Sequence, residues 1–361
     1  MKAKDFLKLI DGMAPFGLAL DWDNSGLQCG DPERPVSRVA VCLDPSPDAV
    51  AEAVDGGADL LVAHHPLIFK PVKSLAAGTP QSEALVRAVK ADLPVISAHT
   101  NWDAFGMCPA LADLLEIRPE GFLEPVSAEL LKLVCFVPLG SFGDVSEAIF
   151  EAGAGQIGAY SRCSFRSEGL GGFLPPRDGD PFIGDPGVYT ETAEHRVEAI
   201  LPLGLRDRVA EAVRASHPYE EPAFEFHRVE ATGAYGFGIH GVWDPPRDPL
   251  PWIAEKLGTP FLTTAGPVPK QVSRVSILPG SGASYLPLAR ARGSEVLVTG
   301  DLTHHQALLA EELGTGIVAA GHRETELPGC GRLMRELESR APAAKFFLIG
   351  GHNPMPVWRA P

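Results

Sequence analysis

The sequence predicts an α/β protein in which a βαβ-containing lobe occurs twice, the two copies forming one discontinuous domain that a ferredoxin-like α+β insert interrupts. Three observations carry this expectation: an internal repeat, polar clusters at the ends of apolar strands, and a change of texture between residues 129 and 232. The repeat lies in SRVAVCLDPSPDAVAEAVDGGADLLVAHHP from Ser37 and SRVSILPGSGASYLPLARARGSEVLVTGDLTHH from Ser273. In each, a five-residue apolar strand begins at an arginine, Arg38 or Arg274. A turn, an Ala-rich helical stretch, a glycine and a second strand follow. Asp59 lies 22 positions after Ser37, as Glu295 does after Ser273. Both segments have the length of a βαβ crossover, which predicts parallel strands with helices on the sheet faces.

Loops at the carboxyl ends of parallel strands are where such sheets carry chemistry. LLVA ends at His64 and His65, and LPVISA leads into His99, Asn101 and Asp103. VLVT ends at Gly300 and Asp301, and GIVAA leads into Gly321, His322 and then Glu326. Between the lobes, LLKLVCFVPLG reads as a strand, GDVSEAIFEAG as a helix and HRVEAILPLG as a strand; LRDRVAEAVRASH and PAFEFHRVE then give a helix and a strand. With a short hairpin or loop expected in the Gly- and Pro-rich stretch from Arg166 to Thr190, the order is β-α-(β)-β-α-β. The expected divisions are 1–128, 129–232 and 233–361.

A chain of 361 residues, at about 150 per domain, implies two to three domains with real cores. The 38 Gly and 34 Pro make up about a fifth of it, which implies turn-rich connections. A net charge of −15 without a long Lys/Arg cluster argues against a nucleic-acid partner. No run approaches 18 apolar residues, so no membrane span is expected. Asp5 and Asp11 interrupt the apolar start, so a signal peptide is not expected either. The six cysteines are scattered singly, which fits a reducing, cytoplasmic location.

His64 and His65 read either as ligands or as a polar loop stiffened by Pro66. His322 and Glu326 share a face if their segment is helical. Imidazoles with carboxylates suit zinc and similar first-row divalent ions, and there are too few carboxylates for calcium. His64, His65, Asp103, His322 and Glu326 exceed the needs of one tetrahedral ion, which points to two. His304 and His305 open an apparent helix behind Thr303, so they are either solvent-facing or close to the ions. His99 or His304 is the candidate proton carrier or substrate contact. GAGQIG at Gly153 matches a dinucleotide fingerprint in letters only, because a helix rather than a strand precedes it.

DWDNSGLQCG (21–30), LLVAHHPLIF (60–69), SAHTNWDAF (97–105), GDLTHH (300–305) and GHRETE (321–326) occur in the order in which the chain resembles the NIF3-like dinuclear metal-centre proteins, also known as homologues of type 2 GTP cyclohydrolase I. The resemblance implies two metals on His64, His65, Asp103, His322 and Glu326, with zinc expected and iron or manganese as alternatives. GAGQIGAYSRCSF (153–165) and SHPYEEPAF (216–224) make the insert similar to the trimeric PII and CutA proteins. Where family members usually have a Tyr before the late His, this chain has Thr303, His304 and His305. The resemblance further implies a homo-oligomer, a toroidal hexamer with the metals facing an internal cavity. Two functions follow as expectations: a metal-dependent hydrolase of a small nucleotide-like or phosphorylated substrate, or a non-enzymatic metal-binding or regulatory scaffold whose insert senses a ligand.

Overall fold

RVAVC, LLVA and PVIS carry apolar side chains at successive positions, the pattern of strands covered on both faces. In the computed structural model, which describes residues 1–76, 78–126, 130–157, 160–229 and 235–351, these become the strands Arg38–Cys42, Leu60–Ala63 and Val95–Ser97. They run parallel, with Val39 opposite Leu60 and Leu61 opposite Val95. Gly26–Cys29 closes one edge antiparallel, and Lys345–Ile349 pairs parallel with Arg38–Cys42 at the other.

The chain is a mixed α/β fold that divides into two compact units, an outer one of Met1–Val126 with Tyr235–Pro361 and a central one of Ser127–Ala234. The expected boundaries after residues 128 and 232 lie outside the described residues. The outer unit has a second sheet in the order Thr263–Ala265, Gly316–Ala319, Val296–Thr299, Val272–Leu278, Gly236–Arg247, Arg118–Pro125. Its inner strands Val272–Leu278, Val296–Thr299 and Gly316–Ala319 are parallel to one another. The paired acids at the 22-residue spacing make the same kind of contact in both sheets. Asp59 Oδ2 accepts from the Ser37 and Arg38 amides at 2.9 and 3.0 Å. Glu295 Oε2 accepts from the Ser273 and Arg274 amides at 2.9 Å each.

The helix His322–Arg340 leaves the second sheet yet buries Cys330, Leu333 and Leu337 in the core beneath the first, among Phe6, Val39, Val41, Leu60 and Val62. Fully burying each such leucine contributes about 1.5–3 kcal/mol. Reciprocally, Cys108–Leu114 follows the first sheet and buries Cys108 and Leu111 against Val275, Ile277 and Val296 of the second. This exchange brings the start of His322–Arg340 to the carboxyl ends of the first sheet's strands. The Trp102 indole holds it there by donating to the Gly329 carbonyl at 3.1 Å.

The central unit has an antiparallel sheet in the order Ser164–Phe173, Thr190–Pro202, Leu130–Pro138, Phe224–Val229. The helices Phe142–Glu151 and Arg206–Ser216 bury Val145, Ile149, Val209 and Val213 against Leu133, Cys135, Val197 and Ala199. Ser164–Phe173 is a full strand where a short hairpin or loop is expected from the sequence. Gly169, Gly171 and Gly172 depress its β signal, while pairing with Thr190–Pro202 along its whole length supplies the order. The helix Phe142–Glu151 ends directly before Gly153 (φ +101°), so the GAGQIG run terminates a helix; its Gly158 lies outside the described residues. No helix among the described residues is long and apolar enough to cross a membrane.

Candidate metal centre

Past the end of Leu60–Ala63 the ladder continues, with the His64 and His65 amides donating to the carbonyls of Cys42 and Leu43 at 3.0 Å each. Held this way, the two rings lie 5.0 Å apart between centroids. Their neighbour His99 stands 5.1 Å from the His64 ring and 5.5 Å from that of His65. Asp103 opens a π-helical turn, Asp103–Met107, a widening often found at functional sites. Its Oδ1 lies 3.4 Å from His64 Nε2.

Gly321, at φ +99°, turns the chain from Gly316–Ala319 into the last long helix, and His322 and Glu326 sit four residues apart on it. Glu326 Oε2 lies 3.0 Å from His322 Nε2 and 3.2 Å from His65 Nε2. Gly280 (φ +62°) makes room for this carboxylate, since a Cβ there would stand 2.1 Å from Glu326 Oε1. Two groupings have donor atoms within 4.8 Å of one another: His64, His65 and His99, and His65, His322 and Glu326.

All four imidazoles are anchored by the same nitrogen. Nδ1 of His64 lies 2.8 Å from the Ala98 carbonyl, and Nδ1 of His65 2.7 Å from Asp44. Nδ1 of His99 lies 2.8 Å from Asp23, and Nδ1 of His322 2.6 Å from Asp301. Such partners fix a ring's tautomer and orientation and leave Nε2 as the free donor of an electron pair. His64 Nε2 is buried without a hydrogen-bond partner among the described residues, and the buried Glu326 Oε2 faces the Nε2 atoms of His322 and His65. Buried polar atoms of this kind call for an explanation, and a cation between them supplies one.

Burial pushes His64 down to about 3. Burial also opposes the charge on His65, but the hydrogen bonds of Asp44 and Glu326 carry it up to about 10. His322 rises to about 9, chiefly through its bond to Glu326, against burial and with help from Asp301. Glu326 is held well below the carboxylate range: burial raises it, and His322 and His65 together outweigh that. Asp103 goes the other way, raised by burial and by the Glu326 charge. One small space therefore contains both strongly basic and strongly acidic donors.

The structure thus brings His64, His65, His99, Asp103, His322 and Glu326 together. It does not bring in His304 or His305. Thr303 caps the helix His304–Leu313, and both imidazoles are exposed, 5.8 Å from one another. Asp44 and Asp23 were missed as anchors in the sequence, although both stand in short polar turns beside apolar strands. Asp301 was visible there as a strand-end residue but without a role. Beside His65 opens a cleft of about 330 Å³ lined by Asp44, Ser46, Phe69, Lys70 and Gln81. The exposed rings of Trp22 and Phe69, 6.0 Å apart, flank His99 at 5.8 and 6.5 Å.

The sequence profile of the family Duf34/NIF3 (NGG1p interacting factor 3) matches residues 1–354. A Mycobacterium tuberculosis protein named GTP cyclohydrolase 1 type 2 homolog is 36% identical over 353 residues, 94% of this chain and 92% of its own length. A Halalkalibacterium halodurans protein of the same name is 35% identical over 323 residues, 88% of this chain and 87% of its own. Among solved structures, the Bacillus cereus protein related to NIF3 superposes with a TM-score of 0.84 at 31% identity and covers 99% of both chains.

Proposed function

The chain belongs to the Duf34/NIF3 family, and from that premise we propose that it is a dinuclear metal protein that hydrolyses a small nucleotide-like or phosphorylated substrate. His64, His65, Asp103, His322 and Glu326 would hold the two divalent ions, with zinc expected and iron or manganese as alternatives. The observation that carries the reading is the anchoring of every cluster imidazole by Nδ1, with Nε2 of His64 beside Asp103 and Nε2 of His65 and His322 beside Glu326. Ions bound there supply Lewis acidity to a substrate oxygen and acidify water.

The chain's own groups have separate tasks. His99, braced by Asp23, moves a proton through Nε2. Trp22 and Phe69 flank a planar ring, and Lys70 at the cleft faces a negative group. His304 has no part in this scheme. We read the outer unit as a duplicated lobe, supported by the matching Asp59 and Glu295 contacts. The central unit, at 129–232, is read as a ferredoxin-like insert, supported by its strand order and similar in sequence marks to PII and CutA. The family resemblance supports a homohexamer that limits access to small molecules, in the cytoplasm. The second reading, a regulatory scaffold whose insert senses a ligand, rests on a cavity in the central unit.

Elemental analysis of protein purified without chelator is expected to give close to two metals per chain. A value near zero after incubation with zinc, manganese and iron defeats the metal centre. Metal-loaded protein is then screened against nucleotides, phosphate esters and cyclic amides with Glu326→Gln beside it. Turnover that the variant lacks supports the hydrolase, and turnover of nothing in a metal-replete sample favours the scaffold.

A further inference from the structure

We propose that the central unit binds a small organic ammonium ion in the cavity lined by the strand Ser164–Phe173 and the segment from Tyr219 to Glu221. The cavity measures about 600 Å³, room for a ligand of metabolite size. Gly169 leaves part of its floor bare, with nothing within 4 Å of where a Cβ would stand. The space over Gly171 is taken by a carboxylate from the neighbouring strand: a Cβ on Gly171 would lie 2.1 Å from Glu194 Oε2. Glu194 is only 7% exposed, and its Oε1 accepts one hydrogen bond, from the Tyr219 hydroxyl at 2.8 Å.

Burying a carboxylate is costly unless a cation or several donors compensate it. A phenol hydroxyl supplies one hydrogen bond and no charge. Arg196, which also lines the cavity, is bound to Glu198 at 3.0 Å. No ion pair to Glu194 is found among the described residues. Glu168, Glu220 and Glu221 line the same space and make it more negative, which disfavours phosphates and other anions. The counter-charge for Glu194 is therefore expected from a ligand.

The walls define that ligand further. The Tyr219 ring stands 5.8 Å from Phe173 and 6.3 Å from Phe182, tilted by 52° and 53°. Inclined aromatic faces around an anionic group make a cage that attracts alkylammonium ions through the ring quadrupoles. A neutral apolar molecule of the same shape would fill the cage and leave Glu194 uncompensated. The inference goes beyond the metal-centre reading, because every residue it uses lies in the central unit.

Isothermal titration of the full chain with tetramethylammonium, choline and putrescine tests it, with 3,3-dimethylbutan-1-ol as the neutral counterpart of choline. At least one ammonium probe is expected to bind, and the alcohol to bind at least about tenfold more weakly than choline where choline is that probe. Glu194→Gln and Phe182→Ala are each expected to weaken binding about tenfold or more, with metal content unchanged. Phe182 is largely exposed, so its variant keeps the test open if Glu194→Gln proves unstable. No heat with any ammonium probe up to millimolar concentration overturns the proposal. So does equal binding of choline and the alcohol, or unaltered affinity in either folded variant. Because metal content is read in the same samples, failure here is distinct from failure of the metal centre.

Discussion

A histidine that is to give Nε2 to a cation must carry its proton on Nδ1, and here each Nδ1 has its own acceptor outside the cluster. Asp301 does this for His322 at 2.6 Å. Asp301→Asn keeps the shape but removes the charge, and is expected to lower metal affinity about 10–100-fold, read by competition with a chelating dye. Unchanged affinity would mean that Asp301 does not orient the ring. The proton balance gives a second readout of the same chemistry. In the metal-free protein, and against burial, the hydrogen bonds of Asp44 and Glu326 push His65 up to about 10, and the bond to Glu326 pushes His322 up to about 9, so metal uptake is expected to release protons from both. Affinity is then expected to rise with pH from 6 toward 9 and to level off as these values are passed. Titrations at a series of pH values check the sign, and an affinity that falls over this range contradicts it. His64 and His65 are legible in the sequence because they follow directly on an apolar strand, and His99, Asp103, His322 and Glu326 because they lie within seven residues of the end of one. Asp44, Asp23 and Gly280 are not, since their roles exist only through tertiary neighbours that no local pattern encodes.

At the scale of elements, the paired acids 22 residues into each repeat show how a short spacing is converted into architecture. Asp59 ties the start of Arg38–Cys42 to the start of Leu60–Ala63 by taking two amides and the Ser37 hydroxyl. Its pKa is lowered: partial burial pulls upward, and the Ser37 and Arg38 hydrogen bonds outweigh it. A depressed folded-state value means that the contribution is present above the unfolded carboxylate's pKa, about 3.9, and is lost as pH falls through the folded one. Asp59→Ala is therefore expected to cost about 1–2 kcal/mol at pH 7. The gap from the parent narrows toward pH 3 in urea unfolding series, and a constant gap would mean that the carboxylate's charge is not what binds. The repeat strands were legible because β-branched runs and Gly punctuation are local signals. Ser164–Phe173 was hidden by its glycines, and the exchange of helices between the two outer sheets has no signature in either helix alone.

The whole molecule adds connectivity. A homohexamer is expected to give light scattering at six times the chain mass, and a stable monomer with metals bound would reopen macromolecular substrates. The stronger test comes from where the ligands lie in the chain. His64, His65 and Asp103 precede the central unit, and His322 and Glu326 follow it, so ions bound by all five would staple two distant stretches of one discontinuous domain. Binding to the folded state alone stabilises it by about 2.7 kcal/mol at a hundredfold excess over Kd. The central unit has its own sheet and core and contributes none of these ligands. Calorimetry with and without zinc is therefore expected to move one transition upward and leave a second in place. Excising 129–232 and bridging the ends with a short flexible linker is expected to delete the unmoved transition and keep the metal-dependent one. Equal shifts of both transitions would mean that the units unfold together. A metal-dependent transition lost on excision, across several linker lengths, would mean that the centre depends on the central unit after all.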